Sequence, residues 1–315
     1  MEAHSVRLKR IRNLALLLTA LSFLIMLVSA YIRLSGAGLG CDGWPGCYGQ
    51  LLVGGAHPHT GAVRILHRIT ATSALVLTFF TVWQCTRPTP VQPAARYATL
   101  LLVLMILLTL VGIWSSDAHR AWASFFNILG GIGLVSLSWR MVLSATPESS
   151  RTKPAYTVIP LRAGLAVLAM TLALGALIGA RYAAVSCASV PACGGVWWPA
   201  AEGWAALNPF VSIAAAPLPG DAGGVTLHLL HRYCALTAML LLAIAGLQAQ
   251  AADATRTSGR WLLVLLLAEF ALGGLTVVTG FSLWLAIAHG VCAAALLATG
   301  IQLLNIVSAP LQDEA

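Results

Sequence analysis

Charge is scarce in this chain. Only 9% of its 315 residues are Asp, Glu, Lys or Arg, and just 10 are acidic, where an ordinary soluble domain carries roughly 25% charged residues. So few charges cannot cover a water-facing surface, which excludes a soluble globular fold. The 18 Lys and Arg leave a formal net charge of +8, but they flank apolar runs and form no patch of the kind a nucleic-acid partner requires. Cysteine pairs at the tight spacing of a zinc knuckle are missing. Pairs of Gly/Pro-interrupted helices at matched positions are missing too, which argues against a secondary transporter with a midplane site.

In place of charge the chain has apolar length. Hydrophobic residues make up 59% of it. Stretches of about 18 residues or more, enough to cross roughly 30 Å of hydrocarbon, recur near 13–33, 65–86, 97–115, 122–143, 159–181, 226–250, 260–280 and 283–306. They predict an all-α membrane protein of eight transmembrane helices. The first run is longer than a signal-peptide core and reaches Arg33 without a small-residue cleavage site, so it is read as a retained helix. Arg7, Lys9, Arg10 and Arg12 precede the first run, Arg87 and Arg96 flank the second connection, Arg151 and Lys153 lie in the fourth, and Arg256 and Arg260 mark the sixth. The first and fifth connections have almost no Lys or Arg, so the positive-inside rule puts both termini on the cytoplasmic side of a plasma (inner) membrane.

Two cysteine pairs fall in outside connections at one spacing, C-x5-C: Cys41 and Cys47 in "CDGWPGC", Cys187 and Cys193 in "CASVPAC". That compartment preserves disulfides, and two are expected. The loops belong to a larger repeat. "LHRITA" (Leu66 to Ala71) matches "LHRYCA" (Leu230 to Ala235) at an offset of 164, and "LVGIW" around Gly112 matches "LGGLT" around Gly274 at 162. Each unit is a helix, an outside loop with a cysteine pair and three further helices. Two parallel-repeat four-helix bundles follow, spanning 1–150 and 151–315, because units with an even number of helices keep one orientation.

Polar residues in lipid are candidates for function. His67 and His231 stand at the outer ends of helices two and six, and His289 lies about one and a half turns into helix eight. His231 and His289, on different helices at similar depth, are placed for bis-imidazole ligation of a haem iron; the alternative is two histidines satisfied by neighbouring helices. Arg68 and Arg232 follow the helix-end histidines, where a guanidinium can pair with a haem propionate or simply snorkel to the interface. His228 is open between a supporting partner of the site and a surface residue. Glu269, deep in helix seven, either assists proton movement or sits protonated at a helix contact. "VWWP" (Val196 to Pro199) and Trp204 suggest a short interfacial segment.

On "RLSGAGLGCDGWPGCYG" (Arg33 to Gly49), "LHR" (Leu66 to Arg68), "CASVPACGGVWWP" (Cys187 to Pro199), "LHLLHR" (Leu227 to Arg232) and "GGLTV" with His289 on the next helix, the chain resembles the haem A synthase family over nearly its whole length. The resemblance implies oxidation of the C8 methyl of haem O to a formyl group for terminal oxidases, with haem b in the C-terminal half and substrate haem O in the N-terminal half. His231 and His289 match the haem b ligands, and His67 matches the first N-terminal ligand and is the catalytic candidate. The outer pair Cys41 and Cys47 is implicated in some members. Expected partners are haem O, haem O synthase, the oxidase biogenesis machinery and membrane lipid. Two positions depart from the pattern: Asn127 stands where the second N-terminal histidine is expected, and Arg64 where a glutamate precedes the first. An amide is a poor iron ligand and a guanidinium cannot shuttle protons. His119 lies eight residues before Asn127, about 12 Å along a helix, and His57 or His59 would have to bend in from a loop. The N-terminal site is then five-coordinate through His67 or no longer a standard haem O site. The alternative function is a non-catalytic haem b-binding paralogue in oxidase assembly or haem handling.

Overall fold

The computed structural model describes residues 2–37, 60–114, 117, 119–146, 158–214 and 217–308. Helices account for most of them: α1 (Glu2–Gly36), α2 (Thr60–Thr86), α3 (Ala94–Trp114), α4 (Ala121–Ser144), α5 (Ile159–Ala180), α6 (Ala222–Gln248), α7 (Asp253–Val278) and α8 (Leu283–Val307). All eight are long and apolar enough to cross a membrane, and the chain is an all-α, multi-pass membrane protein. Cys41, Cys47, His57, His59, Arg151 and Lys153 lie outside the described residues. Helix is what hydrocarbon demands, since each backbone N–H and C=O must be satisfied within the segment. Buried hydroxyls obey the same rule: Thr19, Ser22, Thr78, Ser138 and Thr171 each donate to the carbonyl four residues earlier.

Several helices overrun their apolar stretches. α1 starts at Glu2 rather than 13, α6 at Ala222 rather than 226 and α7 at Asp253 rather than 260. Water and caps satisfy a helix end beyond the lipid, as at α6, where the Asp221 carboxylate accepts the Gly224 N–H at 2.8 Å.

In the first half α1 and α3 each pack on α2 and α4, and in the second α5 and α7 each pack on α6 and α8. The diagonals are therefore α2 with α4 and α6 with α8. The halves meet along α4 with α5 and α8, and along α1 with α8, where Val135 clusters with Ala294 and Ala298. Lipid gives no hydrophobic drive to such contacts, so close approach through small residues carries them. A Cβ at Gly130 would lie 2.2 Å from a Leu108 methyl, and one at Gly300 2.6 Å from a Leu165 methyl.

Buried positions on the helices of the two halves also fall into line. On α2 and α6, Ala74, Thr78 and Thr81 answer to Ala238, Leu242 and Ala245 at the expected 164. On α4 and α8, Gly131, Leu134, Ser138 and Met141 answer to Ala293, Leu296, Gly300 and Leu303 at 162. The "LVGIW" register needs correction. The buried Ala94, Ala98, Leu101 and Met105 of α3 answer to Thr255, Gly259, Leu262 and Leu266 of α7 at 161, so Gly112 corresponds to Gly273 and Leu108 to Glu269. On α1 and α5, Ala15, Thr19, Ser22, Ile25 and Val28 answer to Gly164, Leu168, Thr171, Leu174 and Leu177 at 149, which sets Met26 against Gly175.

One end of the bundle is capped by the α5–α6 connection. Its Tyr182, Ala184, Val185 and Ile213 cluster with Ala37, Ala121 and Phe281. Burial pushes the Tyr182 phenol above the ordinary tyrosine range, against the pull of the Arg33 guanidinium. The interfacial segment is a 3₁₀ turn, Ala201–Leu207, packed on α6, with Trp197, Trp198 and Trp204 exposed.

Candidate functional site

The second half brings His231 of α6 and His289 of α8 opposite one another, edge-on, across the bundle diagonal. Their ring centres are 6.3 Å apart and their planes cross at 81°. Two imidazoles, each bound through one nitrogen at about 2.0 Å to opposite sides of one iron, have centres about 6 Å apart once roughly 1 Å from nitrogen to ring centre is added on each side. The pair therefore has the dimensions of a bis-imidazole site.

Each ring is held from behind by the same device on a flanking helix, an acceptor followed four residues later by a glycine. On α5 the acceptor is the Thr171 carbonyl, which takes the His231 Nδ1–H at 3.0 Å. Gly175, one turn on, makes room: a Cβ there would come within 3.2 Å of His231 Cε1. On α7 the acceptor is Glu269, whose Oε1 lies 3.1 Å from His289 Nδ1, off the axis of a straight hydrogen bond. Gly273 supplies the hole, since a Cβ there would sit 3.1 Å from His289 Cε1. The Thr171 bond leaves His231 Nε2 with its lone pair for a metal, and a carboxyl 3.1 Å from His289 Nδ1 stands where it favours the same tautomer there, the arrangement that orients histidine ligands in general. Thr171, Gly175 and Gly273 were not singled out by the sequence. Gly273 lies inside the "GGLT" motif, but nothing in the sequence marks Thr171 or Gly175, because their partner His231 is far along the chain, 60 residues from Thr171.

His228 is a buried support and not a surface residue: its Nε2 pairs with the Ala183 carbonyl at 3.0 Å, tying α6 to the loop after α5. Arg232 reaches sideways. One amino group, Nη1, donates to the Pro191 carbonyl at 2.9 Å, inside the loop closed by the Cys187–Cys193 disulfide. The other, Nη2, is buried without a partner, and a carboxylate is the group that would satisfy it.

The first half converges much less. His67 is partly buried on α2, with Arg64 and Arg68 exposed on either side of it. Asn127 is partly buried on α4. Among the described residues no side-chain hydrogen bond or ion pair holds His67 or Asn127. His119 does not stand in for a helix ligand. It lies before α4, where its Nδ1 pairs with the Ile213 carbonyl at 2.6 Å and its own carbonyl accepts the Ile213 N–H at 3.1 Å.

Eight membrane-length helices with two histidines meeting inside the second half define a multi-pass membrane protein with a candidate haem site, and comparison gives its family. The sequence model of the cytochrome oxidase assembly protein family, COX15-CtaA, matches residues 12–60 and 126–301, together more than half of the chain. The chain belongs to this family. A protein of Shewanella oneidensis named Heme A synthase is 28% identical over 308 residues, covering 88% of this chain and 91% of its own. A second Heme A synthase, from Halalkalibacterium halodurans, is 24% identical over 314 residues, covering 92% and 95%. The family match takes in His231, His289, Glu269, Gly175, Gly273 and Asn127.

Proposed function

We propose that the chain is a haem A synthase-type oxidoreductase that converts the C8 methyl of haem O to a formyl group for terminal oxidase biogenesis. The full-length similarity to two Heme A synthases supports the activity, and the His231–His289 pair at 6.3 Å is the observation that carries it to residues. In this reading the halves are parallel repeats. The second half, 151–315, holds haem b between His231 and His289; the first, 1–150, takes haem O as substrate. Bound there, haem b supplies one-electron transfer. The Thr171 carbonyl and the two glycines keep both imidazoles in the orientation that presents Nε2. Arg232 binds a haem b propionate through Nη2 while its Nη1 stays on the disulfide loop.

In the first half His67 would hold the iron of haem O, with no second helix histidine at position 127. Arg68 and Arg64 bind propionates there; Arg64, a permanent cation, does not move protons. Both termini are cytoplasmic, which puts the two haem positions and the cysteine loops near the outer face. Haem O synthase is the supplying partner, and the oxidase assembly machinery receives the product.

Coexpression with a haem O synthase in a host lacking its own haem A synthase tests the reading. Pigment extraction is expected to give haem A from the wild type and none from His67→Ala. A stably expressed wild type that carries haem b and forms no haem A rejects the enzyme in favour of a haem b-binding paralogue, the reading that Asn127 favours.

A further inference from the structure

Glu269 is the one carboxylate in the interior of a transmembrane helix among the described residues. An acid at that depth is costly and needs a reason. Its Oε1 is 3.1 Å from His289 Nδ1, and its side chain is only 15% exposed. Its Oε2 is buried with no partner, and the carboxyl is engaged by His289 and by the neighbouring Cys292 thiol, both on α8. Cys292, one turn beyond His289 on α8, lies beside it and directs its own Sγ to the Leu265 carbonyl. The histidine across the bundle is served differently, since His231 donates to the neutral Thr171 carbonyl.

Resting on the haem b reading above, we infer that Glu269 is a positioning residue for His289 that makes the two iron ligands electronically unequal. The carboxylate takes the Nδ1–H, fixes the tautomer that presents Nε2 and gives the His289 ring partial anionic character. A more electron-rich axial ligand, with a negative charge behind it, stabilises ferric over ferrous iron. Glu269 thus holds the haem b potential below the value that two carbonyl-backed imidazoles would set. Gly273, four residues on along the same face of α7, lets the ring lie close enough for this contact.

The test is an optical redox titration of the full-length, haem-loaded protein and its E269Q and E269D variants. Wild type is expected to show one low-spin haem. E269Q is expected to keep it with the ferric–ferrous equilibrium moved about tenfold toward the reduced form, about 59 mV, and E269D to fall between the two. An E269Q protein that titrates with the wild type overturns the inference, as does an E269D protein shifted as far as E269Q. If E269Q loses its haem, retention by E269D supports the inference and loss from both overturns it. A wild type without low-spin haem, or one whose spectrum survives His231→Ala, overturns the underlying haem b reading, and that outcome is recognised without any Glu269 variant.

Discussion

The two halves share helix order and neighbour pattern, and three of four positions around the candidate ligand pair differ between them. Behind the second-half rings stand Gly175, Glu269 and Gly273, with His289 across from His231. By the register of the buried faces the corresponding first-half positions carry Met26, Leu108 and Gly112, with His67 at the position of His231 and Asn127 at that of His289. Only the glycine of the third helix is kept, and a Cβ at Gly112 would meet nothing within 4 Å. Each candidate ligand histidine is therefore one part of a packing unit of ring, acceptor and hole. Where the ring is gone, the position of the acceptor carries the apolar Leu108, packed onto Gly130, and the position of one glycine carries Met26, packed onto Gly131.

The sharpest way to break this comparison is to remove the rings. His231→Ala or His289→Ala is expected to abolish the low-spin haem spectrum or convert it to a high-spin one, while His67→Ala leaves it intact. Pyridine haemochrome content and reduced-minus-oxidised spectra measure this. If both second-half variants keep wild-type haem and spectrum, the two halves do not differ in the way proposed.

Next in size is the loss of a hole. Gly273→Ala puts a methyl group 3.1 Å from His289 Cε1, whereas the adjacent Gly274 has nothing within 4 Å of its missing Cβ. Forcing a ring aside in a packed interior costs roughly 1–3 kcal/mol, which weakens haem retention by about tenfold or more at the middle of that range. Gly274→Ala is expected to retain haem like the wild type. Equal losses from the two would mean that helix propensity or general packing is responsible and that the cradle has no specific role.

That pair of glycines also shows how far the sequence could be read. The eight helices were legible because lipid imposes a length and an apolarity that few other environments demand. His231 and His289 were legible because polar residues are rare at that depth and one of them repeats. The cradle was not. Gly273 and Gly274 are indistinguishable in "GGLT", and which of them faces the ring depends on the rotation of α7 against its neighbours. The motif alignment paired Gly112 with Gly274, and only the buried faces moved it by one residue. Arg232 presents the same difficulty, because its tether at Pro191 is set by the fold of the loop after α5. Propensity and hydropathy are local, and these contacts join residues 41 to 60 positions apart.

The smallest expected effect is also the most informative about the first half. If one substitution had disabled a second bis-imidazole site, Asn127→His would restore it. The packing unit argues otherwise. An imidazole at 127 meets Leu108 where His289 meets Glu269, so its Nδ1–H is left without an acceptor at a cost of about 1–3 kcal/mol when buried. Met26, at the position matching Gly175, directs its side chain against Gly131 of α4, so α1 has no glycine at that position. Asn127→His alone is therefore expected to leave the low-spin haem content per polypeptide unchanged. Adding Leu108→Glu and Met26→Gly is expected to raise it, since those changes supply the acceptor and the hole together. A doubled low-spin signal from Asn127→His by itself would show that the halves differ by a single ligand and that the flanking residues are incidental to it.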